Sequence, residues 1–292
     1  MLRIGILASG NLGIICLREL IKTQKINFVL TDNDSVSIIA FCFDNKIPHY
    51  AGNPRNIQIV EFINQFSTDV ILSINYLFLI GYEIISHAKK YAINFHGSLL
   101  PKYRGRTPHV WAIINNESFT GITAHLISEG CDEGDIVLQE MIPIDINATG
   151  SDILNIFQYK YIQMIYNVIE LIETDKLSPV PQEHNKATYF GKRGPDDGEI
   201  NWNWQKERIR NWVRAIAKPY PGAFSFYEGH KIIIHQIEFS DEGFDCNDKN
   251  GTILRVGDNL LIKTPNGAVE LTAIEINLHH NFTQGKVLHG RY

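Results

Sequence analysis

Cysteine is scarce in this chain. Four stand in 292 residues, at positions 16, 42, 131 and 246, and no two form a CxxC pair. That spacing excludes a disulfide framework and a structural zinc site, and it suits reduced thiols in the cytoplasm. Long apolar runs are lacking as well. None reaches the roughly 20 residues that a membrane-spanning helix needs, so no membrane partner is expected. The first residues form neither a basic n-region nor a long apolar span, so no signal peptide is expected. An excess of positive charge is also absent. The net charge is −5 at pH 7, which disfavours a nucleic-acid partner, because phosphates select a basic surface. Internal repeats and low-complexity tracts are not visible. What is present is an ordinary soluble composition in a chain long enough for one large and one small domain.

The first half alternates strands and helices. Arg3 to Ala8 reads as a buried strand, Ser9-Gly10-Asn11-Leu12-Gly13 as a turn, and Ile14 to Thr23 as a helix. Further strands are expected at Ile26 to Leu30, Asp69 to Ser73, Ala92 to Phe95, Thr120 to Leu126 and Ile136 to Ile144. Helices are expected over Asn33 to Phe43, from Asn53-Pro54 onward, over Gly81 to Ala88 and over Pro108 to Asn115. A long one follows from Ser151 to Glu173, opened by its serine. This alternation implies an α/β fold, a doubly wound and mostly parallel sheet, whose ligands bind beyond the carboxyl ends of the strands. The second half changes character. An amphipathic helix from Trp204 to Ala217 precedes five short strands with Glu228-Gly229, Asn250-Gly251 and Asn266-Gly267 turns. These suggest a small OB-like β-barrel. The expected division is a catalytic domain over 1–178, a linker over 179–202 and a C-terminal domain over 203–292. Ile232 to Ile234 suit either the barrel core or a homodimer surface.

Asn94-Phe95-His96 ends an apolar strand and opens onto Gly97-Ser98-Leu99-Leu100-Pro101-Lys102-Tyr103-Arg104-Gly105. Asp132 follows in Cys131-Asp132-Glu133-Gly134. An amide, an imidazole and a carboxylate at strand ends are the parts of an acyl-transfer site. The amide steadies an oxyanion, the imidazole moves a proton, and the carboxylate orients or charges the imidazole. Any one of them alone reads as a capped strand end. Together, with Gly97, Gly105, Gly130 and Gly134 nearby, they read as a site. His96, His109, His125 and Cys131 match no zinc template, so no metal is expected.

The run Ile93 to Gly105, with Gly121-Ile122-Thr123 and Asp132-Glu133-Gly134-Asp135-Ile136, resembles the folate-dependent formyltransferases. The likeness covers most of residues 1 to 145. It implies N10-formyltetrahydrofolate as formyl donor, an amine as acceptor, and Asn94, His96 and Asp132 as the catalytic trio. It further implies that Phe78, Leu79 and Ile80, with Glu129 and Gly130, form the pterin pocket. Ser9, Gly10 and Asn11 correspond to a turn near the acceptor's phosphate. Lys102, Tyr103, Arg104 and Arg106 form a basic loop suited to a pyrophosphate.

Three acceptors occur among relatives of this kind: glycinamide ribonucleotide, the charged initiator tRNA and nucleotide-linked amino sugars. The second domain, entered through Ala187 to Arg193 and Lys218 to Phe224, resembles the two-domain members that act on the last two. From Asn201 to Tyr292 basic and acidic residues nearly balance, whereas a tRNA binder needs a basic face. The Lys102 to Pro108 loop also resembles the sugar-modifying members. The expected acceptor is therefore a nucleotide sugar, dTDP-linked and of the O-antigen kind. A methionyl-tRNA formyltransferase and a non-catalytic binder on the same fold are the alternatives.

Overall fold

The computed structural model describes residues 1–276 and 281–290. The chain divides into two compact units. One comprises Met1–Pro108, Thr120–Pro143 and Asn155–Phe190, and the other His109–Phe119, Ile144–Leu154 and Gly191–Tyr292.

In the first unit, strands β1 (Arg3–Ala8), β2 (Lys25–Thr31), β3 (His49–Ala51), β4 (Thr68–Ile74) and β5 (Ala88–His96) run parallel. A two-residue strand, β6 (Arg104–Gly105), follows, and then β7 (Phe119–Leu126) and β8 (Ile136–Pro143). The seven-stranded sheet has the order β3-β2-β1-β4-β5-β7-β8, with β7 antiparallel to β5. The order reverses between β1 and β4, the switch point beyond which such sheets bind ligands. β1 and β4 are mostly apolar because both of their faces are covered. Ile4, Ile6, Leu7, Val70, Ile71, Leu72 and Ile74 are completely buried, each stabilising the fold by about 1.5–3 kcal/mol.

The helices are α1 (Gly10–Leu20), α2 (Val36–Asp44), α3 (Ile57–Ile63), α4 (Tyr82–Ile85), α5 (Pro108–Ile114), α6 (Gly150–Glu173) and α7 (Lys206–Ala215). α1 starts four residues before the apolar period does, because the turn glycine is itself its first residue. The cap of α6 is Thr149 rather than Ser151. The Thr149 hydroxyl accepts from the Asp152 amide at 3.2 Å, and the Asp152 carboxylate accepts from the Thr149 amide at 2.8 Å. Ile153, Phe157, Tyr161, Ile165, Val168 and Ile172 lie buried along the inner face of α6.

Strand β9 (Tyr189–Phe190) belongs to the first unit and pairs with β6. The second unit carries β10 (Ala223–Tyr227), β11 (His230–Ser240), β12 (Ile253–Val256), β13 (Leu260–Thr264) and β14 (Gly267–Ile276), antiparallel in the order β10-β11-β14-β13-β12. The chain returns to both edges of this sheet. Phe226 on β10 exchanges amide hydrogen bonds with His289, and the Ile253 amide at the start of β12 donates to the Lys286 carbonyl at 2.8 Å. Both edges are thereby covered by one segment. Ile232 and Ile234 are completely buried in the core, so they offer no free surface to a second copy.

Candidate active site

The site grows from the pleat of β5. Residues two apart on a strand face the same way, so Asn94 and His96 share one face. The antiparallel partner β7 sets His125 opposite Asn94 and Thr123 opposite His96. Phe95 and Ala124 pair on the other face and pack into the core.

Thr123 holds the loop that leaves β5. Its hydroxyl donates to the Ser98 carbonyl at 2.6 Å and accepts from the Leu100 amide at 3.2 Å and from Gln139 Nε2 at 2.8 Å. Ser98 in turn donates to the Lys102 carbonyl at 2.7 Å. The loop starts at Gly97 because α6 passes close by. A Cβ there would stand 2.7 Å from the Phe157 ring. The loop returns the Tyr103 carbonyl to His96, whose Nε2 lies 2.8 Å away. A carbonyl only accepts, so Nε2 carries a hydrogen and Nδ1 is the nitrogen left to exchange a proton.

Asp132 faces that nitrogen. Its Oδ2 is 3.5 Å from His96 Nδ1 and accepts the Gly105 amide at 2.9 Å. Its Oδ1 is 3.5 Å from His125 Nε2 and 3.4 Å from Asn94 Nδ2. The backbone of Asp132 is left-handed, with φ of 54°, a conformation that aspartate tolerates better than most residues. Burial opposes its charge. The imidazoles of His96 and His125 and the hydrogen bond from the Gly105 amide outweigh burial, and they hold the carboxyl well below the ordinary carboxylate range.

His125 is a part of this cluster for which the sequence assigns no role. Its Nδ1 meets the Leu126 carbonyl at 2.8 Å, so Nδ1 carries the hydrogen and Nε2 accepts from Asn94 Nδ2 at 3.0 Å. This bond orients the Asn94 amide. Replacing His125 with alanine removes it, and kcat is expected to fall about tenfold with little change in KM. His125→Gln, which keeps an acceptor, retains more of the rate. Steady-state kinetics on both variants checks this.

The sequence also conceals a strap over residues 180–190, which falls within the expected linker. Val180 and Ile136 exchange amide hydrogen bonds at 2.8 Å. Gln182 is buried, and its Nε2 donates to the carbonyls of Asp132 at 2.9 Å and Gly134 at 2.7 Å. Its Oε1 accepts from Arg104 Nη2 at 2.6 Å. Gln182 thus ties the aspartate loop to the basic loop. Gly105 allows β6 to lie against β9, since a Cβ there would collide with the Phe190 carbonyl.

Arg104, expected at the substrate, is instead a structural residue. It is completely buried, and besides Gln182 it donates to the Tyr189 hydroxyl at 2.5 Å, with Glu133 Oε1 at 3.5 Å. Breaking a buried charged network of this kind costs about 3–5 kcal/mol. Arg104→Met is therefore expected to lower the free energy of unfolding by that much, as read by denaturant titration. A substrate contact would instead raise KM and leave stability unchanged. Tyr103 is also directed into the protein. Its ring stacks on Phe190 at 4.9 Å, and only its carbonyl serves the site. Lys102 and Arg106 are exposed, and Arg106 donates to the Leu77 carbonyl.

The turn after β1 differs from an open anion cradle. Ser9 is completely buried and the Gly10 amide donates to Ser35 Oγ at 2.9 Å. Ser35 then donates to the buried Asp32 carboxylate at 2.7 Å. The amide is occupied and a negative charge lies one bond beyond it, so an anion has little to gain there. The Asn11 side chain remains exposed. Phe78, Leu79 and Ile80 lie in the segment after β4, at the same sheet end as His96. Leu77 and Leu79 are exposed, whereas Ile80 packs on the core. Glu129 and Gly130 lie between β7 and Asp132. His109 is buried with its Nε2 2.6 Å from the Tyr220 hydroxyl, and burial pushes its pKa down to about 4.

An amide, an imidazole and a carboxylate thus converge beyond the carboxyl end of a central strand. Residues 20–169 match the family described as formyl transferase, and residues 193–289 match its C-terminal domain. The chain belongs to the formyl transferase family. It is 31% identical over 273 residues to the bifunctional polymyxin resistance protein ArnA of Wigglesworthia glossinidia brevipalpis, covering 91% of this chain and 41% of that one. The chain thus spans about two fifths of that relative's length. Among solved structures it resembles WlaRD, a sugar 3N-formyl transferase, with a TM-score of 0.70 at 22% identity over 92% of this chain and 97% of that one. It also resembles an N-formyltransferase from Helicobacter canadensis, with a TM-score of 0.73 at 20% identity over 93% and 99% of the two chains. At such identities these likenesses establish the fold.

Proposed function

We propose that this protein transfers a formyl group from N10-formyltetrahydrofolate to the amine of a nucleotide-linked amino sugar. The observation that carries the reading is the convergence of Asn94, His96 and Asp132 at one strand end. The donor supplies an activated formyl carbon. The exposed leucines 77 and 79 with Phe78, and the backbone of Glu129 and Gly130, suit a flat, partly apolar ring carrying polar edges.

The residues then divide the work. As the amine adds, negative charge grows on the formyl oxygen. Asn94 Nδ2 donates to it, in place of the long 3.4 Å contact with Asp132. His96 Nδ1 takes the proton that the amine must lose, the Asp132 carboxylate opposite stabilises the imidazolium, and the proton passes on to the folate N10 as the bond between N10 and the formyl carbon breaks, so that tetrahydrofolate leaves. The Tyr103 carbonyl keeps the imidazole from turning. Lys102 and Arg106, both exposed, are the cations suited to meet a pyrophosphate, whereas Arg104 is buried.

For the acceptor, we favour a dTDP-linked sugar. WlaRD was solved with dTDP and 5-N-formyl-THF, and the Helicobacter protein with folinic acid and dTDP-3-aminofucose. The near balance of charge in residues 201–292 gives a tRNA little to bind. Four free thiols fit the cytoplasm, where we place the reaction, and an O-antigen or related glycan is the destination we assign to the product. Among the described residues, no helix is long and apolar enough to cross a membrane.

The test is a panel of acceptors offered with N10-formyltetrahydrofolate: dTDP- and UDP-amino sugars, glycinamide ribonucleotide and charged initiator tRNA. Formylation of a dTDP-amino sugar is the expected result. Formylation of the tRNA with the sugars untouched would replace this reading with the alternative.

A further inference from the structure

The second unit holds an open groove of about 1040 Å³, and none of the residues that line it belongs to the formyl-transfer cluster. Its wall includes Lys263, on β13, which is only 5% exposed. The neighbours Leu260, Leu261 and Ile262 are buried core residues, and a lysine in such a strand is unusual. Its Nζ donates to Asn250 Oδ1 at 3.0 Å and stands 4.9 Å over the Phe244 ring. Neither partner carries a full negative charge. An ammonium has three N–H donors, so two remain without an acceptor among the described residues. Removing an ammonium from water without a counter-charge is costly, and a bound anion is the direct remedy.

The rest of the groove describes that anion. Asn250 cannot turn away, because its Nδ2 donates to Asn203 Oδ1 at 3.0 Å. Lys249 brings a second ammonium to the groove, and two cations favour a phosphate over a single carboxylate. The amide of Asn203 and the carboxylate of Asp248 suit the hydroxyl groups of a sugar. We propose that this groove is a second binding site, for a phosphorylated sugar whose phosphate sits on Lys263. The proposal does not depend on the formyl-transfer reading.

Isothermal titration of the full chain with glucose 1-phosphate tests it, with inorganic phosphate as the comparison. Two variants accompany the wild type. Lys263→Met removes the charge. Asn250→Asp has the same shape but places a carboxylate beside the ammonium, which satisfies it and repels the ligand. The expected result is saturable binding to the wild type, at least about tenfold tighter than inorganic phosphate and weakened at least about tenfold in each variant. Asn250→Asp should melt no lower than the wild type, which separates lost binding from lost folding. Absence of saturable binding, equal binding in the wild type and both variants, or inorganic phosphate binding as tightly as the sugar phosphate would overturn the proposal.

Discussion

Replacing His96 with alanine lowers the rate of formyl transfer by about 10²–10⁴-fold. Affinity for the nucleotide sugar is expected to stay within about twofold, because the imidazole faces the reacting atoms rather than the nucleotide. The argument rests on the two ring nitrogens. Nε2 is committed to the Tyr103 carbonyl at 2.8 Å, so only Nδ1 is open to the reaction. Alanine leaves the amine without a proton acceptor and leaves a buried carbonyl without its donor. His96→Gln separates these two consequences. It can restore a donor to Tyr103 but cannot take a proton, so its stability should recover while its rate stays low. Single-turnover kinetics beside thermal melting checks both parts.

Asp132→Asn gives the second large effect, a loss of about 10²-fold or more in kcat. The amide keeps the size of the carboxylate and an oxygen for the Gly105 amide, but it removes the charge opposite His96 Nδ1. The same substitution has a consequence for stability. The folded-state pKa of Asp132 is depressed below the unfolded value, chiefly through His96 and His125 acting against burial. Its ionised form therefore stabilises the fold above the ordinary carboxylate pKa of about 3.9, and that contribution is lost as pH falls through the folded value. Denaturant titrations should show wild type and Asp132→Asn differing most near neutral pH. The gap should narrow as pH falls below the ordinary carboxylate range. A gap that widened in acid would contradict the assignment.

Much of the fold is legible in the sequence because its strands are runs of apolar residues separated by turn residues. β1 and β4 are examples: buried on both faces, they are apolar over most of their length. β3 and β9 are not legible, since three and two residues are too few to show a period. The catalytic trio is legible because two polar residues interrupt an apolar strand at its end, with a glycine after them. The strap is not. Nothing local distinguishes Gln182 from a solvated glutamine, and its role appears only when residues 104, 132 and 134 are brought together. Arg104 shows the same limit from the other side. Beside Lys102 and Arg106 it reads as one more surface cation, and only the partners 78 to 85 residues away reveal that it is buried. The turn after β1 misleads for a related reason: its amide is already bonded to Ser35, which lies 25 residues further on.

The most direct test follows an isotopic label. N10-formyltetrahydrofolate labelled in its formyl carbon is mixed with excess wild-type enzyme and a dTDP-amino sugar, and the sugar is recovered after one turnover. The label should appear on the sugar amine, one equivalent for each tetrahydrofolate released, and the rate should collapse in His96→Ala. Tetrahydrofolate released without label on any sugar amine, or transfer undiminished in His96→Ala, would contradict the account.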